Sequence, residues 1–186
     1  SLAARAAVLD AVQALEEAAT ASVSAPIEGR WALIYSTQID ERKRAAAPGA
    51  VQAVIDGTYA LFFKFAPALA GAEEGGRRSN NEQRVDLERG RACNRVRLPL
   101  PGGAQSLELT VNGEVAPAAA DDVSDLRVTF TDFTVGLASS TASPLKLPLP
   151  RPVGSLTTTF CDDDMRVSRG GRGGVFVLRR LPDRDE

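Results

Sequence analysis

Apolar and polar residues alternate in short runs along most of the chain, with the period of two that half-buried β-strands show. The pattern predicts strands at residues 30–37, 83–88, 94–98, 106–115, 126–135, 156–161, 165–168 and 175–178. One or two more are expected within residues 51–65. Glycine, proline and aspartate fill the connections, which is typical of turns. The sequence therefore predicts a mainly β protein.

The N-terminal residues follow a different period. Val8, Val12 and Leu15 recur at helical spacing, so residues 2–19 are predicted to form an amphipathic helix. We expect this helix to plug or flank the β domain. A membrane contact is the alternative, and acidic side chains such as Glu16 on the polar face argue against it. Residues 1–25 are assigned to the helix and its lead-in, and residues 26–186 to the β domain.

Eight or nine strands separated by turns, with one helix, predict an up-and-down antiparallel barrel or a sandwich. Residues 143–152 contain repeated prolines and are expected to form an extended connection, neither helix nor central strand. This segment is one candidate contact surface. The other is the aromatic cluster of Tyr59, Phe62, Phe63 and Phe65, where one of two adjacent phenylalanines in a strand must face away from the core.

Strand alternation also sorts the candidate core residues into faces. Trp31, Leu33 and Tyr35 are predicted to share one face of the first strand. Val128 and Phe130, two residues apart, share a face of a later strand. Alternation alone leaves open which face is the inner one.

Composition narrows the function classes. The 186 residues suit one domain with a real core, and the net charge of −2 excludes a general attraction to nucleic acid or anionic lipid. The chain has no His, which removes the usual catalytic triads and His-ligated zinc. Cys93 and Cys161 are expected to be buried free thiols, and no metal site is expected. No apolar run reaches the length of a membrane-spanning helix. Because the chain lacks His and any recognisable setting for a nucleophile, we do not expect an enzyme, and an enzyme that acts on lipids is the disfavoured alternative.

The last quarter of the chain predicts a hairpin. Residues 165–168 and 175–180 are expected to pair, with Gly170, Gly171, Gly173 and Gly174 forming a turn that needs positive φ. An RNA-binding Arg-Gly segment is the disfavoured alternative. The acidic residues 162–164 are expected to form an exposed turn that pairs with Arg166 or Arg169, in preference to a cation site.

Two stretches carry a family resemblance. The Thr-Thr-aromatic strand ending in Phe160, the acidic turn, Arg166-Val-Ser-Arg169-Gly170 and the closing Phe-Val-Leu strand resemble the C-terminal signature of the plastid lipid-associated proteins, also called fibrillins or plastoglobulins. The Gly29-x-Trp31 opening is similar to the first strand of the same family and of lipocalins. The resemblance implies a lipocalin-like (calycin) antiparallel β-barrel of about eight to nine strands with an N-terminal α-helix. Gly171 stands where the family often has an acidic residue.

The resemblance also implies a function. A member of this family would be a non-enzymatic plastid (chloroplast) protein that binds lipid, carotenoid or prenylquinone and associates peripherally with thylakoids or plastoglobules. No cofactor other than such a bound molecule is expected, nor is binding to nucleic acid. The alternative is a structural subunit or assembly factor of a thylakoid protein complex. The transit peptide that the family implies is expected to be absent from the numbered chain, which begins at Ser1.

The candidate residues have two roles. The structural motif comprises Gly29, Trp31, Arg166, Arg169, Gly170 and Arg180. In a lipocalin-like barrel, Trp31 would close the floor beneath an Arg of the last strand, Arg180 or its neighbour Arg179; a core Trp without a special partner is the alternative. The predicted ligand-binding set is Trp31, Leu33, Tyr35, Val128, Phe130 and Phe160. A pocket of these residues would be neutral and would suit an isoprenoid or acyl tail.

Overall fold

The computed structural model describes residues 2–18, 23–37, 81–102, 105–119, 122–171 and 173–182. Helix α1 is Leu2–Ala18, and strands β1 to β9 are Gly29–Ser36, Asn81–Asp86, Arg91–Pro99, Ser106–Ala119, Asp122–Leu137, Leu145–Pro148, Val153–Cys161, Met165–Gly170 and Val175–Leu181. The predicted helix and eight of these strands are confirmed. The strands expected at 51–65, and the aromatic cluster there, lie outside the described residues.

The strands close into a ring. Each pairs antiparallel with its neighbours in the order β1, β2, β3, β4, β5, β7, β8, β9, and β9 returns to β1. The up-and-down antiparallel barrel predicted from the sequence is therefore confirmed. Among the described strands, β6 pairs only with β5, beyond the stretch of β5 that holds β7. The proline-rich segment thus forms an edge strand, where proline costs least.

Two apolar clusters lie on opposite sides of the strands. The inner cluster fills the barrel around the buried residues Ile27, Trp31, Val85, Val115, Leu126, Cys161 and Leu178. The outer cluster lies between the barrel wall and α1, where Val12 of the helix packs against Val167, Val175 and Val177. The helix therefore flanks the barrel and does not plug it. Within the described residues, no helix is long and apolar enough to cross a membrane.

One polar contact fastens α1 to the wall. Glu16 accepts two hydrogen bonds from the Arg169 guanidinium, at 2.9 Å and 2.6 Å, and one from the Thr159 hydroxyl at 2.5 Å. This pairing corrects the expectation that Arg166 or Arg169 would pair with the acidic turn, because Arg169 is engaged by the helix. The turn is instead held by its own Asp162, whose carboxylate accepts the backbone N–H groups of Asp164 and Met165.

Two β-bulges turn predicted inner residues outward. In β1, Leu33 lies opposite Leu178 and Tyr35 opposite Val177, so Ile34 is the extra residue. Val177 belongs to the outer cluster, and Tyr35 packs there with it. The prediction that Tyr35 shares a face with Trp31 and Leu33 is therefore wrong.

The second bulge lies in β7, between Thr158 and Phe160. Phe160 lies opposite Val167 and packs in the outer cluster with α1. An inward position for Phe160 is therefore also wrong, because a single extra residue reverses the side to which the following side chains point.

The terminal hairpin is confirmed. Met165 pairs with Arg179 and Arg169 with Val175, which sets the antiparallel register of β8 and β9. Among the described glycines of the turn, positive φ occurs at Gly173, at 83°, and not at Gly170 or Gly174. The left-handed residue of the turn therefore lies two residues before β9 begins at Val175.

Candidate functional site

Trp31 forms the floor of the barrel. Its indole is fully buried and donates a hydrogen bond from Nε1 to the carbonyl oxygen of Ile27, at 2.9 Å. Residues 23–28 cross this end of the barrel from Cys161, whose carbonyl accepts the N–H of Ser24 at 2.9 Å, to the start of β1. The chain thus closes one end of the ring with its own backbone and packs the indole against it.

Two cations lie against this floor. The Arg180 guanidinium lies 4.1 Å from the centroid of the Trp31 ring, and that of Arg166 lies 4.8 Å from it. Arg180 donates hydrogen bonds to the carbonyl oxygens of Glu28 and Pro26, at 3.1 Å and 2.7 Å. The predicted pairing of Trp31 with an Arg of the last strand is confirmed, and Arg180 is that residue. Its role is to tie the closing segment to the indole.

Arg166 is the second cation, and it is fully buried. It donates to the carbonyl oxygen of Ile27 at 3.3 Å and to the side-chain oxygen of Gln83. Among the described residues, its Nε has no hydrogen-bond partner. Burial lowers the pKa of Arg166 to about 10, so the guanidinium remains charged at neutral pH.

Further polar side chains share the inner face with Arg166 and point into the barrel. Gln83 lies opposite Trp31 in the sheet and donates to the side-chain oxygen of Asn94 at 3.0 Å. The hydroxyls of Thr158 and Ser168 lie 3.3 Å apart, both buried. We call Gln83, Asn94, Thr158, Arg166 and Ser168 the polar belt. It lies directly above the floor.

Apolar side chains line the interior around the polar belt. Leu33, Val128 and Phe176 pack against the inner cluster. Phe130 shares the face of Val128, because the register between them is regular and Phe130 lies opposite Gly113. Four of the six predicted ligand-binding residues, Trp31, Leu33, Val128 and Phe130, therefore face the interior. That they bind a ligand stays a prediction.

The polar belt was not predicted from the sequence as part of the site. In β8, Met165 and Val167 pack outward against the helix side, while Arg166 and Ser168 point inward. A strand with apolar residues outside and polar residues inside reverses the usual expectation for a barrel. The signal was present in the sequence as the apolar face of α1, which needs an apolar partner on the outside of the wall.

Outside the barrel floor and the polar belt, the other candidate groups among the described residues are the two cysteines, the acidic side chains and one surface pocket. Cys93 and Cys161 are both free, as expected, but Cys161 alone of the two is fully buried and Cys93 is half-buried. Desolvation raises the pKa of each thiol. No group of three or more acidic or cysteine side chains in the described ranges could hold a metal ion. A surface pocket of about 210 Å³ lies between Glu108, Thr134 and Pro144, and it includes none of the predicted ligand-binding residues.

Comparison with known proteins gives the family. Plastid lipid-associated protein 3 of Brassica campestris and its probable counterpart in Arabidopsis thaliana, both named chloroplastic, are each 52% identical over 48 residues, which is 25% of this chain and 13% or 12% of theirs. Chloroplastic plastoglobulin-1 of Pisum sativum is 55% identical over 40 residues, 20% of this chain and 11% of its own. The matched stretch thus spans about an eighth of these relatives. No solved structure matches. The PAP_fibrillin family model, however, matches residues 1–179, and the chain therefore belongs to the fibrillin, or plastid lipid-associated protein, family.

Proposed function

We propose that this chain is a non-enzymatic plastid protein whose barrel binds a hydrophobic small molecule, such as a lipid, carotenoid or prenylquinone. One observation carries the proposal: Leu33, Val128 and Phe176 point into a ring of strands that is closed at one end by Trp31. A ring of eight strands has an interior that side chains can fill or that can hold one small ligand. Apolar side chains around the axis suit an isoprenoid or acyl tail.

The relatives support a place for this protein in the plastid. Two are named plastid lipid-associated proteins and the third a plastoglobulin, and all three names include the chloroplast. We propose peripheral association with thylakoids or plastoglobules, consistent with those names. The net charge of −2 gives no support for nucleic acid as a partner. Arg169 and Gly170 are the last residues of β8, and Arg169 pairs with Val175 of β9. A hairpin therefore explains this part of the Arg-Gly segment without RNA.

Lipid extraction is the direct test. Protein purified from its native membrane is extracted, and lipids that copurify in a fixed ratio to protein are identified by mass spectrometry. In parallel, a fatty acid and a short-chain prenylquinone are titrated into the purified chain while Trp31 emission is followed. Trp31 is the only tryptophan, so quenching reports on the floor of the barrel. We expect saturable binding with a stoichiometry of about one, since small barrels hold one ligand.

A pair of valines supplies the matched control. Val128 faces the interior, whereas Val153, on the neighbouring strand, is 60% exposed. Val128→Asn places an amide in the apolar interior and should weaken binding by about tenfold or more, the effect of one unpaired polar group at a binding site. Val153→Asn should leave binding unchanged. Equal affinities for the two folded variants would contradict a site inside the barrel.

A second candidate function rests on a surface observation. Leu137, Leu145 and Leu147 are 40%, 62% and 46% exposed. Leu145 lies opposite Val135 and Leu147 opposite Phe133, so these leucines share one face of β5 and β6. Such an apolar patch suits a contact with another protein. A structural subunit of a thylakoid complex would cofractionate with that complex. The double variant Leu145→Ser with Leu147→Ser would no longer cofractionate with it. Such a subunit would show no saturable lipid binding.

A further inference from the structure

Arg166 places a positive charge inside the barrel that no acidic side chain balances among the described residues. The oxygens that it binds are both neutral: the Ile27 carbonyl and the Gln83 side-chain amide. The nearby Cys161 thiol does not supply a negative charge, because burial raises its pKa above the ordinary value of 9.0. Arg180, on the same indole, adds a second cation. A buried charge of this kind destabilises the fold unless an opposite charge pairs with it.

Free hydrogen-bond donors lie on the same inner face. The Nε of Arg166 is buried and has no partner in the described part of the chain. Thr158 and Ser168 share a single hydrogen bond in which either hydroxyl can donate. That bond uses one of their two hydroxyl protons, so one proton is left to give. Ser168 follows Arg166 by two residues on β8 and therefore points to the same side.

The arrangement along the axis is that of an amphipathic ligand. The charged donors lie next to the closed floor, and the apolar side chains of Leu33, Val128 and Phe176 lie around them and beyond. A ligand with its head group at the polar belt would have its tail among these apolar groups. A carboxylate accepts more than one hydrogen bond and binds guanidinium better than a neutral oxygen does.

From this arrangement we propose that the ligand of the barrel carries a carboxylate head group that pairs with Arg166, as in a free fatty acid. The inference rests on the proposed function and makes it specific. The carboxylate accepts the Nε proton of Arg166 and the spare hydroxyl proton of the Thr158–Ser168 pair. It removes the uncompensated charge from the interior. The proposal replaces the neutral pocket expected from the sequence with one that selects an acidic lipid.

Head-group selectivity tests the proposal with the full chain. Oleate and oleyl alcohol share a tail and differ in charge, and decylubiquinone offers neutral carbonyl oxygens. At neutral pH we expect oleate to bind about tenfold or more tighter than oleyl alcohol, as one charge-assisted hydrogen bond predicts. Arg166→Met should bind both equally, and Arg166→Lys should keep part of the preference. Arg179→Met is the matched control, since Arg179 is exposed on the outer side of β9.

The outcomes separate this proposal from the function on which it rests. Wild-type protein that binds oleyl alcohol or decylubiquinone as tightly as oleate overturns the carboxylate and leaves lipid binding intact. A folded Arg166→Met that keeps the preference for oleate also overturns it. Absence of saturable binding by all three probes overturns both.

A second measurement needs no variant at Arg166, whose loss could unfold the barrel. Oleate labelled with ¹³C at its carboxyl is bound to the wild-type protein, and its chemical shift is followed as pH is lowered. A carboxylate beside a guanidinium stays ionised to lower pH than free monomeric oleate. A bound carboxyl that titrates at or above the pH of the free acid contradicts the pairing.

Discussion

Trp31 is the residue on which the closed end of the barrel depends. Arg166 and Arg180 lie over its ring, its N–H is bonded to Ile27, and it packs in the inner cluster. A large side chain in such a place contributes through burial and through the cations that it orients. Removing the indole would leave a cavity beneath two guanidinium groups.

Trp31→Ala should lower the free energy of unfolding by about 3–5 kcal/mol, the usual cost of truncating a buried aromatic side chain. Urea unfolding followed by far-UV circular dichroism measures the loss. Ile34→Ala, on the same strand but 41% exposed, is the control and should cost far less. Similar losses for both variants would contradict the role of Trp31 as the floor.

The turn between β8 and β9 requires a glycine at position 173. Gly173→Ala should cost about 1–2 kcal/mol, because its φ of 83° is unfavourable for any residue with a Cβ. Gly174→Ala is the comparison: its φ is ordinary, and its Cβ would meet the Phe176 ring at 3.4 Å, a normal contact. We expect thermal unfolding to separate the two variants. A Gly174 variant as unstable as the Gly173 variant would argue against this turn geometry.

At the scale of elements, α1 and the barrel wall depend on each other. The helix covers Val167, Val175 and Val177, and Glu16 anchors it through hydrogen bonds from Arg169 and Thr159. The hydrogen bonds from Arg169 hold the pKa of Glu16 below its ordinary value of 4.5. A carboxyl whose pKa is lowered on folding stabilises the folded state above its unfolded pKa and loses that contribution as pH falls through the folded value.

Acidification should therefore loosen α1. Amide hydrogen exchange of α1 should speed up relative to the strands as pH falls below about 4.5, after correction for intrinsic rates. Glu16→Gln should lower the free energy of local opening of α1 by about 0.5–1 kcal/mol, a value discounted for solvent screening, and should therefore speed up exchange already at neutral pH. Glu17→Gln, on the exposed side of the helix, should behave as wild type. Uniform protection of α1 in all three proteins would exclude Glu16 as its anchor.

Elements were easier to predict from the sequence than the sides to which their residues point. Strand positions follow from alternation and turn residues, and the Gly29-x-Trp31 opening indicated the floor. Tyr35 and Phe160 were misplaced because one extra residue in β1 and one in β7 reverse the alternation. Arg166 or Arg169 was expected to pair with the acidic turn, because a charged side chain is normally assigned to the surface. Arg166 instead lies inside the barrel. Its inward position depends on α1, a contact distant in sequence.

For the whole molecule, the pairing of β4 with β5 closes the ring. Gly113 sits at this seam, where an added Cβ would lie 3.0 Å from the Thr129 carbonyl oxygen and 3.2 Å from the Val128 side chain. The closure thus has no room for a side chain at this point. Ring closure pairs both edges of the eight strands around the barrel, which leaves β6 as the strand with a free edge among the described strands; free edges invite association between copies.

Gly113→Val should destabilise the barrel by about 1–3 kcal/mol through overpacking at the seam. Ala116→Val adds apolar volume to the exposed side of the same strand and should change stability little. Denaturant unfolding measures the difference, and size-exclusion chromatography should show whether the Gly113 variant associates. A Gly113 variant as stable and monomeric as the Ala116 variant would contradict tight closure here.

The long strand β5 has a consequence for how the molecule opens. It bonds to β7 at residues 125–129 and to β6 at residues 132–135, with the bulge of β5 between them. The ring is complete without β6, so β6 can separate from β5 while every pair of strands around the barrel stays intact. The protein thus has two cooperative units. Strand β6 can unfold locally while the rest of the protein stays native, whereas the eight strands of the closed ring unfold together.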